Sequence, residues 1–413
     1  MRILTGATAA KKVKALVARG SQLGSVEKAV KKILSAVRLD GDISVRRFAQ
    51  RWDGLRPDQP MRVDQAEMDR AWKSASAEFK LALREAAGNI RSFSKWQMPR
   101  EWTRTHKGLS VGQIVRPLES VGCYVPGGRH PLVSTLLMTV IPAQVAGVKT
   151  IRVVSPNPPS EVLAAAGMLG VGEFYRIGGA QAIGALAYGT ESILPVVKIV
   201  GPGNLYVTAA KKLVFFDCAI DFLAGPTEVV ILSDDGRPEF IAADLVAQAE
   251  HDVEAQAILI TTSRRLAKAV VNSVARLAAG NSVARESIAR NGVALVAQTA
   301  KQTRDWANML APEHITVSRK DVPFIQNAGS IFVGDYSPQA AGDYVTGPNH
   351  VLPTAGGARF RGGLSVLDFV KLITVQEVSR TGLRRISHSV EYLAGIEGLQ
   401  AHAESVRMRV THA

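Results

Sequence analysis

The sequence predicts an α/β protein built from two doubly wound, Rossmann-like domains with helical segments at its N- and C-termini. Three observations carry that reading. Short β-branched runs alternate with Ala-rich helical stretches from about Val111 onward. Glycines gather where those runs end. Before about Trp102 the pattern is helical instead, with Val26, Val30, Ile33, Leu34 and Val37 spaced near the helical period. Strand, tight turn and helix in repeated succession make a parallel sheet covered by helices on both faces.

The first such unit reads in order. Val121–Val125 leads into Pro126-Gly-Gly128 and a helix over 131–146. Thr150–Val154 is a second strand, followed by a Pro-rich turn and a helix over 161–169. Phe174–Ile177 opens into Gly178-Gly179 and the helix Ala180–Tyr188; Val196–Val200 opens into Gly201-Pro-Gly-Asn204 and a helix to about Leu213. The second unit has strands over 228–232, 257–260, 292–296 and 330–333, with helices over 238–251 and 266–277. Beyond about Leu364 the chain turns helical again, ending in 397–409. Trp52, Trp72, Trp96 and Trp102 are expected as packing anchors.

Composition narrows the function. At 413 residues the chain exceeds one ordinary core, and 46% hydrophobic with 21% charged residues excludes disorder. The most apolar helix candidate, 132–146, is interrupted by Ser, Thr and Gln, so no membrane association is expected. Lys11, Lys12 and Lys14 near the start accompany no signal-peptide core. Cys123 and Cys218 form no CxxC, which fits a reducing, cytoplasmic setting. The net charge of +14 is scattered and lacks any nucleic-acid recognition motif, so no nucleic-acid partner is expected.

Glycine turns after strands let a phosphate approach backbone N–H groups at the next helix start. None here is the dinucleotide fingerprint, but Tyr124, Gln181 and Asn204 stand beside them and could meet a ribose or an amide. The eight histidines are more telling. Gln248 and His251 share a face at a helix end, Glu313-His314 follows Pro312, Asp343 and His350 flank Gly347-Pro-Asn349, and Glu397 and His402 bracket the last helix start. Imidazole nitrogens with carboxylate or amide oxygens suit Zn²⁺ and leave an open Lewis-acid position. Spacing alone does not say which of these meet, and satisfied histidines remain the alternative. Glu313 with His314 offers an acid–base pair, or else a loop ion pair. His106, His130, His388 and His412 lack such neighbours and are read as structural. Cys123 and Cys218 have apolar surroundings and no neighbouring base, against a nucleophile.

With these segments assembled, the chain resembles the histidinol dehydrogenase family, from about Val26 to its end. The motifs are Tyr124-Val-Pro-Gly-Gly128, Gly178-Gly-Ala-Gln-Ala182, Gly201-Pro-Gly-Asn204, Ala224-Gly-Pro-Thr-Glu228, Gln248-Ala-Glu-His251, Ala311-Pro-Glu-His314, Ala341-Gly-Asp343, Gly347-Pro-Asn-His-Val-Leu-Pro353 and Glu397-Gly-Leu-Gln-Ala-His402. The resemblance implies an NAD-dependent, four-electron oxidation of L-histidinol to L-histidine through a held aldehyde. By motif match it places one zinc per subunit on Gln248, His251, Asp343 and His402, with Glu313 activating water and His314 taking the proton. Substrate contacts fall to Thr227, Gln248, His251, His314, Asp343, His350, Glu397 and His402; Tyr124, Gln181 and Asn204 line the NAD pocket.

The resemblance also implies a homodimer whose active sites are shared, with Glu397 and His402 given in trans. The expected division is an N-terminal helical segment (1–20), an α/β domain from 21–115 with 228–363 carrying metal and catalytic residues, an NAD-binding α/β domain (116–227), and a C-terminal helical segment (364–413) reaching the partner. Thr227 stands where Ser is frequent in the family. Same-fold relatives oxidise other small diols, sulfonated ones included, and His350 with Glu397 favours histidinol over those.

Overall fold

The computed structural model describes residues 1–18, 23–127 and 132–411, so Gly128, His130, Pro131 and His412 lie outside the described residues. The chain opens with strand β1 (Arg2–Thr5) and helices α1 (Gly6–Val17), α2 (Gly24–Trp52), α3 (Gln65–Ser74) and α4 (Ala77–Trp96). The hairpin β2 (Trp102–His106) and β3 (Leu109–Pro117) follows. Then come β4 (Ser120–Tyr124), α5 (Val133–Ala146), β5 (Thr150–Val154), α6 (Ser160–Leu169), β6 (Glu173–Tyr175), α7 (Gly179–Tyr188), β7 (Lys198–Val200), α8 (Leu205–Val214) and β8 (Ala219–Ile220). A second succession runs β9 (Glu228–Leu232), α9 (Pro238–Ala249), β10 (Gln256–Thr261), α10 (Arg264–Leu277), α11 (Ser282–Asn291), β11 (Val293–Val296), α12 (Ala300–Leu310), β12 (His314–Val317), β13 (Ser330–Val333) and α13 (Gln339–Tyr344). Strand β14 (Val370–Val378) and helices α14 (Arg380–Ile396) and α15 (Gln400–Thr411) finish it.

Two parallel sheets result, ordered β6-β5-β4-β7-β8 and β1-β11-β10-β9-β12-β13. Counted from its own first strand, β4 or β9, each half has the order third, second, first, fourth, fifth. The two halves thus repeat one doubly wound topology that no repeated motif reveals. Their strands are apolar runs because helices bury both faces; every residue of β9 and β10 is buried. In each sheet the winding direction reverses between the first and fourth strands, the place where such folds open a crevice. Among the described residues no helix is long and apolar enough to cross a membrane.

The structure corrects three expectations. Residues 1–20 are not simply helical: β1 pairs in parallel with β11, and α1 buries Ala9, Val13 and Leu16 against the six-stranded sheet. A four-residue edge strand is too short for its period to show. Helices α2–α4 pack on the five-stranded sheet and not on the six-stranded one, with α4 also meeting 345–347 through Asn89. Val30, Leu34 and Val37 pack with Ile183 and Leu186 of α7, and Leu83 and Ile90 join the core around Leu136 and Ile141 of α5. These helices cover the five-stranded sheet, because that sheet's own crossovers leave apolar surface for them to bury. Finally, the tail is not wholly helical. Strand β14 pairs antiparallel with β3, and β2 joins the other side of β3. All of β14 after Val370 is exposed, so it lacks the buried face whose alternation betrays a strand. Of the four tryptophans expected as anchors, only Trp72 packs against the core; Trp52, Trp96 and Trp102 are exposed, and Trp306 is the buried one.

One buried ion pair steadies the crevice of the first sheet. Lys211 of α8 and Asp221 are 4% and 0% exposed. Asp221 also accepts from the N–H groups of Gly201 (2.8 Å) and Phe222 (2.6 Å), while Lys211 donates to the Gly201 carbonyl (3.0 Å). Removing one member strands the other charge away from water. Lys211→Met is expected to lose about 3–5 kcal/mol of stability, read as a lowered urea midpoint. Breaking the exposed Arg290–Glu286 pair should change it by less than about 0.5 kcal/mol.

Candidate active site

Helix α12 ends at Ala311 in a left-handed conformation (φ 48°), and Pro312 prevents its continuation. The chain therefore swings so that Glu313 and His314 enter β12 at its amino end. That end adjoins the start of β9, since His314 pairs with Val229. Glu313 Oε2 accepts from Thr227 Oγ1 (2.5 Å) and from the Glu228 N–H (2.9 Å). Gln248, buried in the last turn of α9, donates to Thr227 Oγ1 through Nε2, which leaves its Oε1 to face other partners. His314 lies between two carboxylates, with Nδ1 at 3.6 Å from Glu313 Oε2 and Nε2 at 3.4 Å from Asp343 Oδ1. Neither nitrogen has a hydrogen-bond partner of good geometry, although both are buried.

Asp343 sits on α13, and its backbone carbonyl lies 2.7 Å from His350 Nδ1. The turn that delivers His350 needs glycine at 347, where φ is +107° and a Cβ would lie 2.8 Å from the Asn89 carbonyl. His350 Nε2 reaches Thr135 Oγ1 at 3.4 Å, and Thr135 belongs to α5, the helix that follows β4. The group thus joins the amino ends of the six-stranded sheet to the carboxyl side of the five-stranded one. A cavity of about 320 Å³ opens beside it, lined by His314, Phe332, Asp343, Asn349 and His350. That is room for one small molecule.

The electrostatics follow from burial and facing charges. Burial would lower the His314 pKa, but the Glu313 and Asp343 carboxylates outweigh it and push it up to about 10. Burial works against the charge on Asp343 too; His314, His350 and His251 together hold its carboxyl below the ordinary range. His350 is pushed down, chiefly by burial. Burial pushes both cysteine thiols up to about 12, so neither is poised as a nucleophile.

The expected metal donors divide. Gln248, Asp343 and, through its charge, His251 belong to this region. His251 lies exposed just past the end of α9, its N–H 3.4 Å from the Gln248 carbonyl, so the two share the closing turn as their spacing suggested. Glu397 caps α14 and His402 lies in α15; both are exposed on the arm formed by β2, β3, β14, α14 and α15, with α15 packed on α14. Among the described residues no group of three His, Cys, Asp or Glu side chains gathers to hold a metal. An amide oxygen, an imidazole and a carboxylate are a chemically suitable set for a divalent cation.

The three NAD-pocket candidates stand at or just past the carboxyl ends of β4, β6 and β7, where the amides of Gly178, Gly179 and Gly201 are already taken. Tyr124 Oη accepts from the Gly179 N–H (3.0 Å), and Asp53 Oδ2 accepts from the Gly178 N–H (2.8 Å) and Gln181 Nε2 (3.0 Å). Asp221 takes the Gly201 N–H, and Asn204 Oδ1 caps α8 by accepting from Tyr206 and Val207. Those three amides thus serve the protein's own side chains and not a phosphate. Asp53 and Asp221 escaped sequence reasoning because each lies far from, or across a helix from, the turn it holds. Glu228 was visible inside Ala224-Gly-Pro-Thr-Glu228; its Oε1 accepts from the Ala355 N–H at 2.8 Å. Of the histidines read as structural, His106 is exposed on β2 and His388 stacks on Tyr392.

Comparison with known proteins agrees with this architecture. A family model described as histidinol dehydrogenase matches residues 17–410. The histidinol dehydrogenase of Methanothermobacter thermautotrophicus is 48% identical over 394 residues, 92% of each chain. That of Geobacillus kaustophilus is 46% identical over 398 residues, 93% of each. The solved histidinol dehydrogenase from Elizabethkingia anophelis superposes with a TM-score of 0.95 at 34% identity, covering 100% of this chain and 98% of that one.

Asp53 supplies a test of the turn geometry. Burial, which outweighs its two donors, pushes its carboxyl up to about 6, against about 3.9 in an unfolded chain. A folded pKa above the unfolded one gives stability that is fully present below about pH 4 and lost as pH rises through about 6. Asp53→Asn should abolish that dependence. Urea unfolding of both proteins from pH 4 to 7 should show the native advantage over the variant shrinking as pH climbs. A constant difference would contradict a buried acid at this position.

Proposed function

The chain belongs to the histidinol dehydrogenase family, enzymes of histidine biosynthesis, and we propose that it oxidises L-histidinol to L-histidine through a held histidinal, with NAD as electron acceptor. One observation carries the residue-level reading: Glu313, His314, Asp343, Thr227 and Gln248 form one connected polar group beside a small cavity. A zinc ion per subunit is assigned to Gln248 Oε1, His251 and Asp343, completed by His402 of the partner subunit. When bound, zinc fixes and polarises the amino alcohol, and NAD bound near Tyr124, Gln181 and Asn204 accepts electron pairs.

His314, buried beside the cavity, takes the hydroxyl proton in each oxidation step. A base must be neutral, and Asp343 cannot serve a cation and the imidazole equally. Were Asp343 to hold the cation, one of the charges that keep His314 protonated would be offset. Glu313, steadied by Thr227 and the Glu228 N–H, draws a proton from the water that hydrates the aldehyde. His350 and Glu397 offer hydrogen-bonding groups to the substrate imidazole.

The arm supports a homodimer. Its Leu393 and Ile396 are 59% and 69% exposed, and Leu372, Ile373 and Val375 are bare as well. An apolar surface of that kind marks a face that another chain covers, and it would carry Glu397 and His402 across. A cytoplasmic setting accords with two buried, unpaired thiols.

The metal-loaded protein should form two NADH per L-histidinol and stop on chelation; a panel of small alcohols, including sulfonated diols, should rank L-histidinol first by kcat/KM. No turnover of L-histidinol would refute the assignment. Sharing of the site is tested with hybrids of two inactive variants, His314→Asn and His402→Ala. Refolded together in equal amounts, they should regain about a quarter of wild-type activity, since half the dimers hold one whole site. Ligands supplied within one chain would leave the mixture inactive.

A further inference from the structure

We infer that Asp53 is a positioning residue for the dinucleotide: its carboxylate fixes the Gln181 side-chain amide so that Oε1 is presented to the cofactor. The inference rests on the proposed role of Gln181 in the NAD pocket. Asp53 closes α2, far from that pocket in sequence, yet it is buried and reaches both Gly178 and Gln181. Which end of a buried amide points where is settled by its neighbours. An ionised carboxylate only accepts, so Gln181 must turn Nε2 toward Asp53. Oε1 is then fully committed to the other direction.

That oxygen is buried, and no hydrogen-bond partner meets it among the described residues. It occupies the space beside Gly179, where a Cβ would come within 2.7 Å of it, in a turn whose φ is +60°. Tyr124 holds the same turn through the Gly179 N–H, so the loop cannot relax to satisfy Oε1 from within. A buried acceptor held this firmly without a partner is matched to a ligand that donates a hydrogen bond. A dinucleotide offers such donors on its carboxamide, its adenine amine and its ribose hydroxyls. If the amide were free to flip, Nε2 would meet those donors instead and repel them.

The test is a double-mutant cycle on the metal-loaded enzyme, read by calorimetric titration with NAD and by steady-state kinetics. Asp53→Asn, whose own amide lets Gln181 flip, should raise the NAD Kd and KM by about five- to tenfold. The kcat value and the KM for L-histidinol should stay within about twofold. Gln181→Met should weaken NAD similarly, and the double variant should be no weaker than Gln181→Met alone. If Asp53→Asn does not fold, Asp53→Ala enters the same cycle with the same expectation. Gln181→Met with native NAD affinity would remove Gln181 from the pocket and overturn the reading beneath. Weakened binding in Gln181→Met but native binding in the Asp53 variant, or effects that add, would overturn the positioning role alone. Repeating the cycle with 3-acetylpyridine and deamino analogues of NAD identifies the donor, since loss of the matched N–H erases the penalty of Gln181→Met.

Discussion

One carboxylate oxygen holds the candidate site together. Glu313 Oε2 receives Thr227 and the Glu228 N–H and lies beside His314, so the entrances of β9 and β12 are stitched at a single point. Everything else in the site is placed relative to that stitch. Gln248 hangs from Thr227, Asp343 faces the far side of His314, and His350 hangs from the Asp343 backbone. A sheet register sets these distances, and a register cannot drift by part of a residue.

The two halves share a topology but use opposite ends of it. In the five-stranded sheet the polar candidates stand at the carboxyl ends of the strands, as winding reversal favours. In the six-stranded sheet they stand at the amino ends, where β9 and β12 begin. Setting carboxyl ends against amino ends brings the two groups of candidates to facing sides, and Thr135 to His350 and Asn349 to the Met138 carbonyl are contacts that span the join. The repeat has thus been turned to two different uses.

Much of this was legible in the sequence, for identifiable reasons. Fully buried parallel strands appear as apolar runs, so β4, β5, β9 and β10 stood out. Glu313-His314 and the flanks of Asp343 and His350 stood out as polar residues at element boundaries rich in Gly and Pro. What stayed hidden was pairing across distance. Nothing local ties Asp53 to Gly178, or tells α2–α4 which sheet to cover. The strand β14 escaped because an exposed ribbon has no buried face to alternate against. The filled glycine turns escaped because an occupied amide and an available one have the same sequence.

The arm's small sheet has a temporal meaning as well as a spatial one. Its central strand, β3, is made early, while its neighbour β14 is made only after both large sheets have been specified. Contacts between such distant segments close late, since the loop between them must first be gathered in. The piece that bears Glu397 and His402 therefore takes shape last during biosynthesis. A chain ended before residue 370 would lack the strand on which α14 and α15 are mounted.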